Sequence, residues 1–592
     1  MITYLGNNQH EPITMKINFF AVNNFRGISG GLDRNKVIFK DTNTLFIYGQ
    51  NNVGKSTYLR AYQAFYEDSK PIETDFFKSN CDNNIEFEIE VLLQESDKQL
   101  IEIRAPKQKE SYKKFLCDDY LRIKKTWVKE GKTIKPINQT YNYQTKSYEP
   151  VGYASIGLHT VFQSCMPQPV FIKAMPTEDE AKDILNNILR GMAENTLQSD
   201  DLIALEEAKG KIQELQEKMY NPELIASYQK SVNEYFSQIF EDTVLSFSEE
   251  KNRLIWNEKK LGKDFNIGFS KKSPQGEIDR TIPSSSSNVG HGTIRTAIFT
   301  LLLMKDVAEQ FERQHDRKNY MVLFEEPELF LYPKIIKELR ELIYKVSEDS
   351  LPYQVLCASH SPSMIDIAKP KSSIIRLVKD DLGTTLHQID NEFLKAAKDV
   401  QTDEELKQEM NEVLRFNPHI CEAFYSDEVL LIEGPTEEIL ARAYLQEKTP
   451  QKDIFILNCG TVNNIPFYQK ILAKFKIKYH VICDTDGRLA SSYDSDKNPT
   501  FESHIQKSIS EQFNSDKVIY NTGVFRVHET TFEPAHESNS IPSELRYRTH
   551  DESMGKPFNA NMYWKNILHP NMEHPKFHHV PFISYLDEVL SS

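Results

Sequence analysis

Two short stretches decide the fold of the second half of this chain: Glu428–Glu438, EVLLIEGPTEE, and Tyr479–Gly487, YHVICDTDG. Each begins with a short apolar run rich in β-branched residues, which predicts a buried strand. Both runs end in carboxylates, those of Glu433, Glu437, Asp484 and Asp486. Because parallel strands of an open α/β sheet present functional groups at their carboxyl ends, we expect an α/β domain with four acids at one edge.

Four carboxylates this close would repel one another strongly unless a cation lay between them. Ligation by oxygen atoms alone suits Mg²⁺ or Mn²⁺. The sequence therefore predicts a divalent metal site, and we expect the residues before position 420 to control it.

Length and composition indicate a globular protein of two or three domains, with 592 residues, 39% hydrophobic and 27% charged. The apolar run Ala297–Met304, AIFTLLLM, is too short to span a bilayer, and the N-terminus does not resemble a signal peptide. Seven scattered cysteines without a CxxC pair argue against a zinc ribbon or a disulfide framework. We expect a cytoplasmic protein with no membrane partner.

The net charge of −15 means that any DNA contact must come from a local basic patch. Arg122–Lys135, RIKKTWVKEGKTIK, is the candidate. A solvated hairpin with a basic outer face is the favoured interpretation, because runs of charge usually lie on the surface.

A phosphate-binding loop is predicted where the apolar run LFIYG meets a helix-forming stretch. The match to G-x-x-x-x-G-K-[ST] is complete, and its binding residues are Gly49, Asn51, Asn52, Gly54, Lys55, Ser56 and Thr57. Glycines let backbone N–H groups approach phosphates, the lysine reaches the β- and γ-phosphates, and the serine binds Mg²⁺.

The segments between the two motif regions show helical and strand patterns. Residues 80–175 alternate as strands do, whereas residues 177–247 show helical spacing. This helical region is either a bundle packed within its domain or an insertion that forms a dimerisation element. Residues 391–416 also read as helical, either as a connection between domains or as the end of the first domain.

Three further groups fit a phosphoryl-transfer site. A Ser/Gly loop containing Gly290 and Gly292 opens a long apolar helix, which is a ready anion site. Glu325 and Glu326 end the apolar run that begins at Tyr320. His360 follows another apolar run. Glu325 suits a ligand of Mg²⁺, Glu326 suits a group that orients the attacking water, and His360 suits a contact to the γ-phosphate.

The first half of the chain resembles the ABC-type ATPase heads of structural-maintenance and recombination-repair proteins. The resemblance rests on five stretches in this order: NFRG, GQNNVGKST, the Ser/Gly loop, LFEEPELFLYP and ASHSP. That resemblance implies a homodimer, or a higher homo-oligomer, in which the heads pair face to face and Gly290 and Gly292 act on the partner's ATP. Tyr332 stands where the family usually has His, and the signature loop lacks Leu-Ser-Gly-Gly. The resemblance therefore implies ATP binding with Mg²⁺ and leaves hydrolysis open.

The acids of the second half resemble the Toprim metal-binding module. An ABC head followed by Toprim is similar to the OLD (overcoming lysogenisation defect) nuclease family, which includes the Gabija nuclease subunit and retron-associated OLD proteins. The resemblance implies one metal at Glu433, Asp484 and Asp486 and a second at Glu437. It matches Glu533 to a later metal ligand and Lys556 to a catalytic lysine.

We thus expect an α/β chain with an ABC-type ATPase domain at 15–395, a helical insertion at 177–247 and a Toprim nuclease domain at 421–592. The predicted function is a nucleotide-regulated, metal-dependent DNA endonuclease of anti-phage defence. The alternative is a non-nucleolytic DNA-binding ATPase, a clamp or sensor, with Toprim as a scaffold. The family resemblance also implies a partner, either a UvrD-like helicase or a retron reverse transcriptase with its noncoding RNA.

Overall fold

A computed structural model gives the architecture of the chain. The structure describes residues 15–39, 42–95, 97–98, 102, 112–131, 133–149, 166–174, 185–186, 222–239, 243–249, 265–272, 278–279, 293–294, 296–301, 320–346, 353–369, 372–381, 383–416, 419–448, 453–485, 504–520, 522–528 and 530–592. The chain folds into two compact units. The first comprises residues 1–47, 52–364 and 379–385, and the second comprises 48–51, 365–378 and 386–592.

The strands, in chain order, are β1 Lys16–Asn23, β2 Lys36–Ile38, β3 Thr44–Tyr48, β4 Ile85–Leu92, β5 Tyr120–Glu130, β6 Thr133–Asn142, β7 Ser147–Tyr148, β8 Gln168–Ile172, β9 Thr243–Glu249, β10 Phe265–Lys272, β11 Ile278–Asp279, β12 Tyr320–Glu325, β13 Tyr353–Ala358, β14 Ser372–Asp380, β15 Gly383–Ile389, β16 Glu428–Ile432, β17 Ile454–Asn458, β18 Lys478–Asp484 and β19 Phe525–His528. The α-helices are α1 Lys55–Glu67, α2 Pro222–Ile239, α3 Pro333–Val346, α4 Asn391–Lys398, α5 Asp403–Phe416, α6 Ile420–Ala423, α7 Pro435–Lys448, α8 Ile465–Lys474, α9 His504–Tyr520, α10 Phe532–Glu537, α11 Gly555–Tyr563 and α12 Pro581–Ser591. A helix able to cross a membrane does not occur among the described residues.

An antiparallel sheet in the first unit, of order β2-β1-β4-β5-β6-β7, contains the candidate basic patch. Each described lysine or arginine of residues 122–135 faces a carboxylate. The pairs are Arg122–Glu90, Lys124–Glu86, Lys125–Asp68, Lys129–Glu73 and Lys135–Glu130. DNA phosphates would have to displace these carboxylates, so the geometry favours a charge-paired surface over a DNA site.

The sheet behind the nucleotide motifs has the order β15-β14-β3-β13-β12-β8. Strands β3, β13, β12 and β8 are parallel, and their registers pair Ile47 with Ala358 and Ala358 with Glu325. The carboxyl ends of β3, β13 and β12 are therefore level. The phosphate-binding loop, the His360 loop and the acidic pair all leave the sheet at this edge.

Within the predicted helical insertion, α2 packs into the core of its own unit through Tyr228, Val232 and Phe236. Residues 243–247 belong to strand β9 and not to a helix. The predicted helical span of 177–247 is therefore wrong at its last five residues. The alternation in TVLSFSE, paired antiparallel with β10, explains the strand. Residues 187–221, where a dimerisation helix pair would lie, are outside the described residues.

The second unit contains a parallel four-stranded sheet of order β17-β16-β18-β19. From β16 the chain passes outward to β17 and then returns to β18 on the other side of β16. The switch point thus lies between β16 and β18, where open α/β sheets form their ligand crevice.

The interior of this sheet holds one unusually close approach. His480 of β18 is fully buried, and its Nε2 lies 2.9 Å from Oε2 of Glu428. A Cβ atom on Gly523 would lie 2.2 Å from the imidazole. Glycine is therefore required at 523 by lack of space.

Candidate nucleotide site and candidate metal centre

The phosphate-binding loop has the shape that its glycines permit. Gly49 and Gly54 have φ angles of 149° and 106°, and Asn52 has a φ of 61°. Thr384 stabilises this turn, because its Oγ1 donates to the carbonyl of Val53 at 2.6 Å. A Cβ atom at Gly54 would lie 3.3 Å from Oγ1 of Thr384, so the backbone conformation and the lack of space both favour glycine. Helix α1 begins at Lys55, directly after the loop, and the N-terminus of a helix favours an anion.

Lys55 is buried at the start of α1, with 5% of its surface exposed. Burial lowers the pKa of its ammonium group to about 8, although Glu326 and Glu328 act in the opposite direction. Bound phosphate would add negative charge beside this ammonium, which favours its protonated form.

The strand ends bring Glu326 and His360 together, with 3.3 Å between Oε1 of the glutamate and Nε2 of the imidazole. Burial and the charge of Lys55 lower the pKa of His360, and Glu326 partly offsets them. Glu326 has a φ of 45°, an unusual value for a residue with a side chain, and its N–H donates to the carbonyl of Ala358 at 2.7 Å. Glu325 ends β12 beside this pair.

Glu328 is a buried member of this site that the sequence interpretation missed. Its Oε1 accepts a hydrogen bond from the backbone N–H of His360 at 2.5 Å, so it ties the loop after β12 to the loop after β13. Burial raises the pKa of its carboxyl group, although hydrogen bonds oppose that shift. Its place two residues after the acidic pair was the only local signal.

Three predicted residues lie outside the described residues: Gly290, Gly292 and Asp486. Their roles in nucleotide and metal binding stay predictions.

Two of the predicted metal ligands meet at the switch point of the second sheet. The backbone N–H of Asp484, at the end of β18, donates to Oε2 of Glu433 at 3.2 Å. Glu433 follows β16 directly, as the sequence pattern requires. Gly434 then leads into α7, which contains Glu437 in its first turn.

Glu437 is 4% exposed and lies within reach of the other acids. Burial, followed by the charges of Asp484 and Glu433, raises the pKa of its carboxyl group to about 8. Without a cation, this acid therefore retains its proton at neutral pH. A divalent ion fits such a donor set, because it would replace that proton and screen the repulsion.

Lys556 and Glu533, the two later matches, form an ion pair of 3.3 Å. Lys556 lies in the first turn of α11, which packs against α7. Burial lowers the pKa of Lys556, but Glu533, Glu437 and Asp484 outweigh that effect, so its pKa is raised. The ammonium group therefore stays charged beside the acids.

His528 is a further residue that the sequence interpretation missed. It ends β19 directly opposite Asp484, and its Nδ1 lies 2.8 Å from Oδ1 of that residue. Ligand-capable atoms of Glu437, Asp484 and His528 all lie within 4.8 Å of one another. The final position of the run VFRVH was a signal, since strand ends form the site.

Comparisons with known proteins match two parts of the chain to two different family models. Residues 15–365 match the family model described as AAA ATPase domain, and residues 424–486 match the TOPRIM domain of overcoming lysogenization defect protein-like proteins. The chain is similar to the Old nuclease of Escherichia phage P2, at 24% identity over 88% of this chain and 85% of that protein. It is also similar to endonuclease GajA of Bacillus cereus strain HuB5-5, at 21% identity over 46% of this chain and 38% of that protein. Among solved structures, an Smc head bound to the C-winged helix domain of ScpA matches at 14% identity and a TM-score of 0.39, covering 64% of this chain and 99% of that one.

Proposed function

Because the chain belongs to the AAA ATPase domain family and also contains an OLD-like TOPRIM domain, we propose that it is a nucleotide-regulated, divalent-metal-dependent DNA endonuclease of anti-phage defence. The main support is the convergence of Glu433, Glu437 and Asp484 at the β16–β18 switch point. Burial lowers the pKa of Lys556, but Glu533 and the nearby charges of Glu437 and Asp484 raise it above its usual value. The two curated relatives named above are a nuclease and an endonuclease.

The residues of the chain divide the work of phosphodiester hydrolysis. Glu433, Glu437, Asp484, Asp486 and Glu533 would hold Mg²⁺ or Mn²⁺. Bound ions supply an activated water and charge neutralisation. Lys556 provides a permanent positive charge for the phosphate as its negative charge grows. Pairing with Glu533 holds that ammonium group at the edge of the site.

The nucleotide site would act as the switch. The loop Gly49–Thr57 cradles the phosphates, and Lys55 binds them by charge. Glu325 suits the Mg²⁺ of ATP, and Glu326 with His360 suits the water and the γ-phosphate. We assign this role to residues 15–395 and the nuclease to residues 421–592. A dimerisation element would lie in the part of the predicted insertion, 177–247, that precedes α2.

Assembly and partners complete the proposal. A head-to-head homodimer would let Gly290 and Gly292 act on ATP held by the second copy. A UvrD-like helicase, or a retron reverse transcriptase with its noncoding RNA, would act together with the nuclease.

Plasmid cleavage tests the nuclease. Purified protein is incubated with supercoiled plasmid and Mg²⁺ or Mn²⁺, with and without ATP, beside Glu433→Ala and Asp484→Ala. Glu438→Gln is the matched control, because Glu438 is adjacent to Glu437 but binds Arg442 and Asn458. We expect nicking or linearisation by the wild type and by the control alone. If the plasmid stays intact under every condition, the nuclease proposal fails. If Asp484→Ala also retains DNA in an ATP-dependent way, the clamp or sensor function is favoured instead.

A further inference from the structure

His528 stands out because it is a buried histidine with one ring nitrogen that has no hydrogen-bond partner among the described residues. Its side chain is fully buried, and the rings of Phe532, Phe582 and Tyr585 surround the imidazole at 5.4 to 6.1 Å. Nε2 is buried and has no hydrogen-bond partner among the residues that the structure describes. A buried polar atom without a partner carries an uncompensated desolvation cost. A phenylalanine in this cage would avoid that cost.

The other ring nitrogen of His528 contacts a predicted metal ligand. Nδ1 lies 2.8 Å from Oδ1 of Asp484, and an ionised carboxylate can only accept. The proton of this contact is therefore on Nδ1. The second carboxylate oxygen of Asp484 accepts a longer bond, 3.3 Å, from the N–H of Phe532.

The backbone fixes this contact in place. Asp484 and His528 are register partners in the parallel strands β18 and β19. The N–H and the Oγ1 of Thr485 both donate to the carbonyl of His528, at 3.1 and 3.0 Å. The imidazole therefore meets Asp484 at a defined place and not through a mobile side chain.

We propose that His528 is a positioning residue that holds the Asp484 carboxylate in the orientation a divalent ion needs and thereby sets the metal affinity. This inference rests on the proposed metal-dependent function and assigns the residue that orients its ligand. Groups that hydrogen-bond metal ligands typically contribute about 10–100-fold in affinity.

Metal binding measured without DNA and nucleotide tests this role. Mn²⁺ is titrated into metal-free full-length protein, and free Mn²⁺ is read by electron paramagnetic resonance. We expect His528→Phe, which suits the aromatic cage but lacks the donor, to weaken binding about 10–100-fold. His528→Asn presents an amide N–H near the position of Nδ1 and should restore affinity to within a few-fold of wild type. His528→Leu serves if the phenylalanine variant does not fold.

His480 provides the matched control. It is equally buried, lies on β18 and also bonds a carboxylate, Glu428, which is not a metal ligand. His480→Leu should alter stability but leave Mn²⁺ affinity within about twofold. Wild-type affinity in His528→Phe, or an equal loss in His480→Leu, would overturn the proposal.

Cleavage kinetics separate this inference from the nuclease proposal. His528→Phe should raise the Mn²⁺ concentration for half-maximal cleavage and leave the rate at saturating Mn²⁺ within a few-fold of wild type. A lower saturating rate at an unchanged half-maximal concentration would contradict positioning. Normal Mn²⁺ binding in a wild type that never cleaves DNA would refute the nuclease and leave the role of His528 intact.

Discussion

Replacing Glu437 with glutamine should stabilise the metal-free protein, and the gain should grow with pH. The carboxyl group ionises near 4.5 in an unfolded chain, but the pKa of the folded group is about 8. A raised folded-state pKa means that stability is complete below 4.5 and is lost as pH rises to 8. The loss is about 1.4 kcal/mol per pH unit, which gives about 3 kcal/mol at pH 7 and about 5 kcal/mol at pH 9. Glutamine does not ionise and escapes this loss.

Hydrogen exchange of peptides from β16 and α7 in EDTA measures the effect locally, so two-state unfolding of the whole chain is not required. At pH 7 we expect exchange about 300-fold slower in Glu437→Gln than in wild type, but only about fourfold slower at pH 5. Mn²⁺ should reverse the order, because only the wild type gains a ligand. A pH-independent difference, as expected for Glu438→Gln, would refute the reasoning.

Three further changes test the two sites. Lys55→Ala should weaken binding of a fluorescent ATP analogue about 10–100-fold through loss of a charge-assisted contact, whereas exposed Lys70→Ala should not; equal binding in both would contradict the assignment. Glu326→Gln should retain that binding but lower any phosphate release by about 10²–10⁴-fold, and unchanged release would exclude Glu326 as the water-orienting base. Lys556→Ala should lower the cleavage rate at saturating Mn²⁺ by about 10²–10³-fold, and the same loss in exposed Lys565→Ala would remove the catalytic role.

The sequence predicted the fold class and the OLD resemblance correctly, because both rest on local signals. Short apolar runs that end in acids became β16, β18 and β12, and glycine spacing marked the phosphate-binding loop. Each of these patterns lies within about ten residues. The error at residues 243–247 arose where a helix gives way to a strand after only a few residues.

His528, Glu328 and Thr384 were missed because their roles depend on distant pairing. His528 reaches Asp484 only through the register of β19 beside β18, and α9 separates these strands in the sequence. Thr384 contacts the phosphate-binding loop across 331 positions of chain. No periodicity encodes such pairings. The roles of all the predicted site residues, among them Asp486, Gly290 and Gly292, stay predictions.

The crowding at Gly523 restricts the order in which this chain can evolve. Because any side chain at 523 would collide with the imidazole of His480, the histidine has to be lost before the glycine can change. In the reverse order, a variant with a side chain at 523 and histidine still at 480 would contain a steric clash. In an alignment of relatives, we therefore expect residues other than glycine at 523 only where position 480 has a smaller side chain. Glycine at 523 should occur with either a large or a small residue at 480.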